Sequence, residues 1–322
     1  METSLRLPIE LVLHVITCCL PGKDEILPPD HATTKTLVSF TLVCKETRRL
    51  ATRYLREHCV YLNDDRRLRA LLLLMPERPD LRKIHQLFLA PFDVDGSIDD
   101  QPTAIWVKEL FNFTCLSLRR LVMDIPLRSV RPENDHLDVR RIMAEGFQRL
   151  ESLEEFVSVQ DELYLEAPHL GLDVPLWRGW PKLRRLALYN VDADDAFWAF
   201  VAAMPALETL VLTRADSLRD CNMKEEYRGN TDRPLKVLLV NIEDDQVRFG
   251  NMIRFNWDIV DEERKMTIML YNVPGIYARV HPIEGCQRFV KAAAADGTLW
   301  DLQGEIVQHL PKIPHPNVAE LP

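Results

Sequence analysis

A chain of 322 residues with 47% hydrophobic and 28% charged residues has the make-up of a globular protein, long enough for about two domains and neither fibrous nor disordered. Its 40 basic against 49 acidic residues leave a net charge of −9, which disfavours nucleic acid as a general partner because phosphate binding needs concentrated positive charge. The seven cysteines are odd in number, scattered and without a Cys-x-x-Cys pair, as expected of free thiols in a reducing compartment.

Met1-Glu2-Thr3-Ser4 does not read as a secretory leader, and no apolar run approaches the ~20 residues of a membrane span, so a cytoplasmic or nuclear protein is expected. The first element is a helix over 7–20. Pro8 suits its first turn, and Leu11, Val12, Val15, Ile16, Cys19 and Leu20 recur at helical spacing. Ile9, Leu13 and Cys18 make the remaining faces apolar too, so this helix needs cover on more than one side. A second cluster over 40–51 passes from an apolar run into a basic helix carrying Leu50, Tyr54 and Leu55. Helices of about 50 residues in total build only a small core, and apolar surface left over marks a partner site.

Two motifs carry a family resemblance. Leu7-Pro8-x-Glu10-Leu11-x-x-x-Val15-Ile16-x-x-x-Leu20, followed by Leu42-Val43-Cys44-Lys45-x-x-Arg48-x-Leu50-Ala51, resembles an F-box. The resemblance covers roughly residues 5–60, and the connector 21–36, with Pro28-Pro29 inside, is longer than that family usually has. It implies a small all-α hook that docks on the Skp adaptor of a Skp-cullin-F-box ubiquitin ligase. The implied adaptor contacts are Leu7, Pro8, Leu11, Val12, Ile16 and Leu20, with Leu42, Val43 and Cys44 at the second helix.

Beyond the hook, Cys59-Val60-Tyr61-Leu62 reads as a short strand and 64–75 as a helix ended by Pro76 and Pro79. A phrase L-x-x-L-x-L then recurs at Ile84/Leu87/Leu89, Leu118/Leu121/Met123, Leu183/Leu186/Leu188, Leu207/Leu210/Leu212 and Leu235/Leu238/Val240. A weaker copy stands at Leu153/Phe156, where Ser158 breaks it. The third leucine falls about 140° from the first on a helix, whereas a strand puts the last two on one face, so strands are expected. The intervals between copies, 34, 35, 30, 24 and 28 residues, belong to a repeat architecture, and the phrase resembles the strand of a leucine-rich repeat. Outer helices are expected over 104–113, 139–150 and 194–204, the last opened by Asp192, Asp194 and Asp195. A further strand follows over 266–271, a capping segment over 284–302, and a loose tail from Pro311.

The expected fold is therefore α/β: an F-box module over 1–60, an irregular leucine-rich-repeat-like solenoid with its carboxy-terminal cap over 61–310, and a tail over 311–322. On such a solenoid the residues between the inward leucines face a concave side. Arg120, Val157, Arg185, Tyr189, Val211 and Leu239 then become candidates for holding a target protein, unless loops or the carboxy-terminal segment cover them. The pairs Arg48-Arg49, Arg66-Arg67, Arg119-Arg120, Arg140-Arg141 and Arg184-Arg185 read as solvated faces.

Enzyme signatures are missing from the sequence: no Gly-x-Ser-x-Gly, His-Glu-x-x-His, Gly-x-x-x-x-Gly-Lys or Gly-x-Gly-x-x-Gly occurs. Residues 93–100 are acidic like a calcium loop, but a glycine sixth and a glutamate twelfth are replaced by Ile98 and Ala104, so an acidic turn is expected. The nine histidines are dispersed, and neither metal nor cofactor is expected. The resemblance thus implies a non-catalytic target-recognition subunit of a ubiquitin ligase, with a non-degradative interaction scaffold as the alternative.

Overall fold

The computed structural model describes residues 7–20, 22, 24–92, 97–165, 174–242 and 252–307. Helix α1 (Ile9–Cys18) begins after Pro8, which has no N–H to leave unsatisfied there. Helix α2 (Ala32–Phe40) starts inside the stretch expected to be a connector. His31 caps it, accepting from the Thr33 N–H at 3.2 Å, and histidine is too unusual a cap to mark a helix start in sequence. After a turn comes α3 (Lys45–His58), opened by Thr47, whose hydroxyl accepts from the Cys44 N–H at 3.1 Å. Ile16, Leu37, Ala51 and Tyr54 form the small core of this three-helix module.

Among the described residues nine strands build one sheet of a mixed α/β fold in chain order: β1 (Tyr61–Leu62), β2 (Gln86–Leu89), β3 (Arg120–Met123), β4 (Glu155–Ser158), β5 (Arg185–Tyr189), β6 (Thr209–Thr213), β7 (Leu235–Asn241), β8 (Met266–Asn272) and β9 (Glu305–Ile306). Strands β1 to β8 are parallel, and β9 pairs with β8 antiparallel. The leucine phrases are strands, as their spacing predicts. Parallel neighbours need crossovers, and these carry α4 (Asp65–Leu74), α5 (Gln101–Thr114), α6 (Val139–Phe147), α7 (Asp195–Ala202), α8 (Met223–Asn230) and α9 (Trp257–Val260). All six pack on one sheet face: Leu68, Val107, Phe147, Trp198, Tyr227 and Trp257 share a core with Leu87, Leu121, Phe156, Leu186 and Leu210.

The repeat is closest between β5 and β6, whose partners run from Arg185↔Thr209 to Tyr189↔Thr213. The residues that follow, Asn190 and Arg214, share a positive φ of 54° and 53°, and a bridge joins Asp192 to Asp216. Asp194 then caps α7, its carboxylate accepting from the Phe197 N–H at 2.8 Å.

The other sheet face is also covered. Helix α10 (Pro282–Ala295) and the segment after it set Cys286, Phe289, Val290, Leu299 and Trp300 against Phe88, Val122, Val157, Ala187, Val211 and Leu238. This corrects the expected terminal cap. Helix α10 lies across the sheet as a third layer, and the short β9 follows on the edge of β8. Ile26 enters the same cluster, its N–H donating to the Ala295 carbonyl at 2.8 Å, while the Leu27 N–H donates to the His58 carbonyl at 2.7 Å. The stretch 24–27 therefore joins the end of α3, inside the three-helix module, to α10. Gly297 closes this junction with φ +75°, where a side chain would meet the Asp24 carbonyl oxygen at 2.7 Å.

Two more expectations are corrected. In β7 the register Leu210↔Val237 and Leu212↔Leu239 puts Leu235, Val237 and Leu239 on the helix side and Leu238 and Val240 under α10, one residue out of the expected phase. Arg120 and Arg140 are buried and not solvated, since their guanidinium groups bond inward to main-chain carbonyls: Asp24 and Ala294 for Arg120; Leu127, Val130 and Tyr164 for Arg140. The acidic residues 93–96 and the tail 311–322 lie outside the described residues. Among the described residues no helix is long and apolar enough to cross a membrane.

Candidate functional site

The three-helix module is too small to bury its own apolar residues. Leu7 is 68% exposed, Leu11 50%, Leu42 82% and Val43 64%, and Val15 and Val38 are nearly half exposed. Leu11 and Val15 are one helical turn apart, so they form a stripe along α1. Ile16, one residue on, turns inward and is fully buried against Leu37 and Ala51. Isolated exposed leucines are ordinary, but this many on a module of about fifty residues is a large share of apolar surface left to water.

Of the contacts implied for the adaptor, Leu7, Pro8, Leu11, Leu42 and Val43 are exposed, and Val12, Leu20 and Cys44 are half-buried. Ile16 belongs to the module's own core, which corrects its assignment as a contact, and Leu20 packs against that core. Cys44 sits at the start of α3, its backbone held by Thr47. Val15 and Val38 were not among the implied contacts. The four-residue steps from Leu7 to Leu11 to Val15 were the signal for Val15, whereas Val38 needed a helix the pattern did not reveal.

The six residues expected to hold a target are not gathered on an open face. Val157, Tyr189 and Val211 are buried in the cluster beneath α10, and Leu239 points to the opposite side, into the helix layer. Arg120 is buried and Arg185 half-buried, and these two are drawn together by one carboxylate. Glu155 lies 3.4 Å from Arg120 Nε and 2.9 Å from Arg185 Nη1, and it accepts from the Trp300 indole N–H at 3.0 Å. Burial pushes the Arg120 guanidinium below its ordinary value, against the pull of Glu155. The cluster borders a groove of about 440 Å³ at the amino ends of the strands, whose rim carries Arg119 with Glu154 and Arg184 with Glu208, the latter pair at 2.8 Å. Each charge in this rim already faces an opposite one across neighbouring strands.

Compared with models of known protein families and with curated proteins, the chain matches none.

Proposed function

We propose that the chain is a non-catalytic substrate-recognition subunit of a Skp-cullin-F-box type ubiquitin ligase, with the three-helix module as an F-box that binds the Skp adaptor. In this reading the sheet and its crossovers are an irregular leucine-rich-repeat-like domain that holds a target protein, in the cytoplasm or nucleus. The ligase reaction itself belongs to other subunits, and this chain contributes proximity by raising the local concentration of target lysines. The observation that carries the reading is the exposed apolar face of Leu7, Leu11, Val15, Leu42 and Val43. Desolvating such residues at a partner is worth about 25 cal/mol per Å² of apolar area before the costs of association. Because α10 already occupies the sheet's second face, a target in this reading meets the strand ends and loops around the sheet, where Arg119, Arg184 and Glu208 are exposed.

The test is capture of the intact chain on purified Skp adaptor, beside a variant carrying Leu11→Asp and Val15→Asp. Deleting residues 1–60 is a poorer control, because it also takes Ile26 from the Ala295 carbonyl and the Asp24 carbonyl from the buried Arg120. Capture of the intact chain and its loss in the variant is the expected result. A folded intact chain that the adaptor does not retain overturns the reading, and adaptor binding without cullin recruitment favours a scaffold.

A further inference from the structure

The face of the three-helix module that the adaptor reading leaves unused is strongly basic. Along α3, Lys45, Arg48, Arg49, Arg53 and Arg56 follow at helical spacing, opposite the buried Thr47, Ala51 and Tyr54. Together with Arg78, from the loop before β2, they border a groove of about 850 Å³. Two carboxylates share it, Glu46 and Asp80, and Asp80 is already engaged by Arg78 at 3.0 Å and lies 3.9 Å from Arg56. That pairing holds the Asp80 carboxyl below the usual range. The positive charge of Lys45, Arg48 and Arg49 stands exposed along the groove, in a chain whose acidic residues outnumber its basic ones by 49 to 40.

We infer that this groove binds an acidic polypeptide segment, a run of Asp and Glu side chains carrying an apolar residue. Its length fits: from Lys45 to Arg56 α3 runs about 17 Å, the span of roughly five residues of extended chain. Its chemistry fits as well, because guanidinium forks pair with carboxylates through two parallel hydrogen bonds. The floor is not polar, since Leu13 and Leu50 line it half-buried, which gives an apolar side chain of the segment a place beside the charges. A long nucleic acid suits this site less, because it would run out of the groove onto a surface of net negative charge. The site is separate from the exposed apolar stripe and does not depend on the adaptor reading: Leu13 lies about 160° round α1 from Leu11.

The experiment uses the full chain and a short dye-labelled peptide of Asp and Glu around a central leucine, read by fluorescence anisotropy. Binding is expected, weakening by about tenfold or more from ~50 to ~200 mM salt, as exposed charges are screened. The variant Lys45→Glu, Arg48→Glu, Arg49→Glu, all at exposed positions, is expected to keep its thermal unfolding midpoint and lose at least about tenfold in affinity. Replacing Arg66 and Arg67 by Glu, an exposed basic pair outside the groove, is expected to change affinity by less than about twofold. No binding, or equal loss in both variants, overturns the assignment. Displacement of the peptide by a single-stranded oligonucleotide or by millimolar inorganic phosphate overturns it in favour of a nucleic acid or a small anion.

Discussion

The Trp300 indole donates to the Glu155 carboxylate at 3.0 Å across 145 residues of chain, fastening the segment after α10 to the fourth strand. The same carboxylate neutralises Arg120, whose side chain is 6% exposed, and Arg185. One residue thus joins the sheet to the layer that covers it.

Removing that carboxylate is expected to be costly. Glu155→Ala leaves a buried guanidinium without its counter-charge and an indole N–H without its acceptor, a change worth about 3–5 kcal/mol. Glu155→Gln keeps an acceptor for Trp300 and should lose less. Denaturant unfolding measures both, and an unchanged midpoint for Glu155→Ala would show that the cluster contributes nothing to stability.

A second buried pair holds α8 to the entry of β8. Lys224 Nζ lies 2.7 Å from Asp261, with side-chain exposures of 4% and 0%, and Asp261 also accepts from the N–H groups of Lys265 at 2.8 Å and Met266 at 3.1 Å. Lys224→Met preserves the bulk and leaves Asp261 with Arg228, 3.6 Å away, as its remaining counter-charge, so it is expected to destabilise the chain by up to about 3 kcal/mol. Thermal melting that matches the parent protein would contradict this account.

Asp161 gives stability a pH dependence of unusual sign. Burial, helped by the neighbouring Glu162 charge, pushes its carboxyl up to about 7, against the N–H groups of Tyr164, Leu163 and Leu127 that hydrogen-bond it. The unfolded chain releases this proton near pH ~4, so from there upward the folded state holds more protons than the unfolded one. The contribution of Asp161 is therefore most favourable below pH ~4 and declines as the pH rises through about 7. Carbon NMR of labelled aspartate should find a carboxyl titrating near neutrality that is missing in Asp161→Asn. A midpoint for Asp161 in the ordinary carboxylate range would refute the shift.

Adjacent positions on α1 should respond in opposite ways. Leu11→Asp and Val15→Asp alter exposed side chains and are expected to change stability by no more than about 0.5 kcal/mol each. Ile16→Ala empties a fully buried site in a small core and should cost about 2–5 kcal/mol. Hydrogen exchange on α1 to α3 separates the two, since protection lost equally in both variants would mean that the stripe is structural.

Much of the architecture was legible as local pattern. The leucine phrases named six strand positions, because their last two leucines, two residues apart, share a strand face and not a helix face. The aspartates ahead of α7 announced its cap, and the copies at Leu186 and Leu210 announced the closest pair of repeats. The coverage of the second sheet face also left a trace, in Leu186-Ala187-Leu188, Leu210-Val211-Leu212 and Val237-Leu238-Leu239-Val240, where the positions between the leucines are apolar too. Unbroken apolar strands are the mark of a parallel sheet buried on both sides.

For the strands and most of the helices, α2 excepted, residue spacing was enough to give the element type, because a helix or a strand answers to neighbours within a few positions. Phase and partner were settled only in three dimensions. The central run Val237-Leu238-Leu239-Val240 of β7 is apolar on both faces, so its pairing with β6 decided that Leu239 faces the helices. The burial of Arg120 depends on carbonyls of Asp24 and Ala294, and that of Val157 and Val211 on α10, all brought from distant parts of the chain. Contacts between segments so far apart leave no periodicity to read, since they depend on how packed layers meet and not on the order of residues within either one.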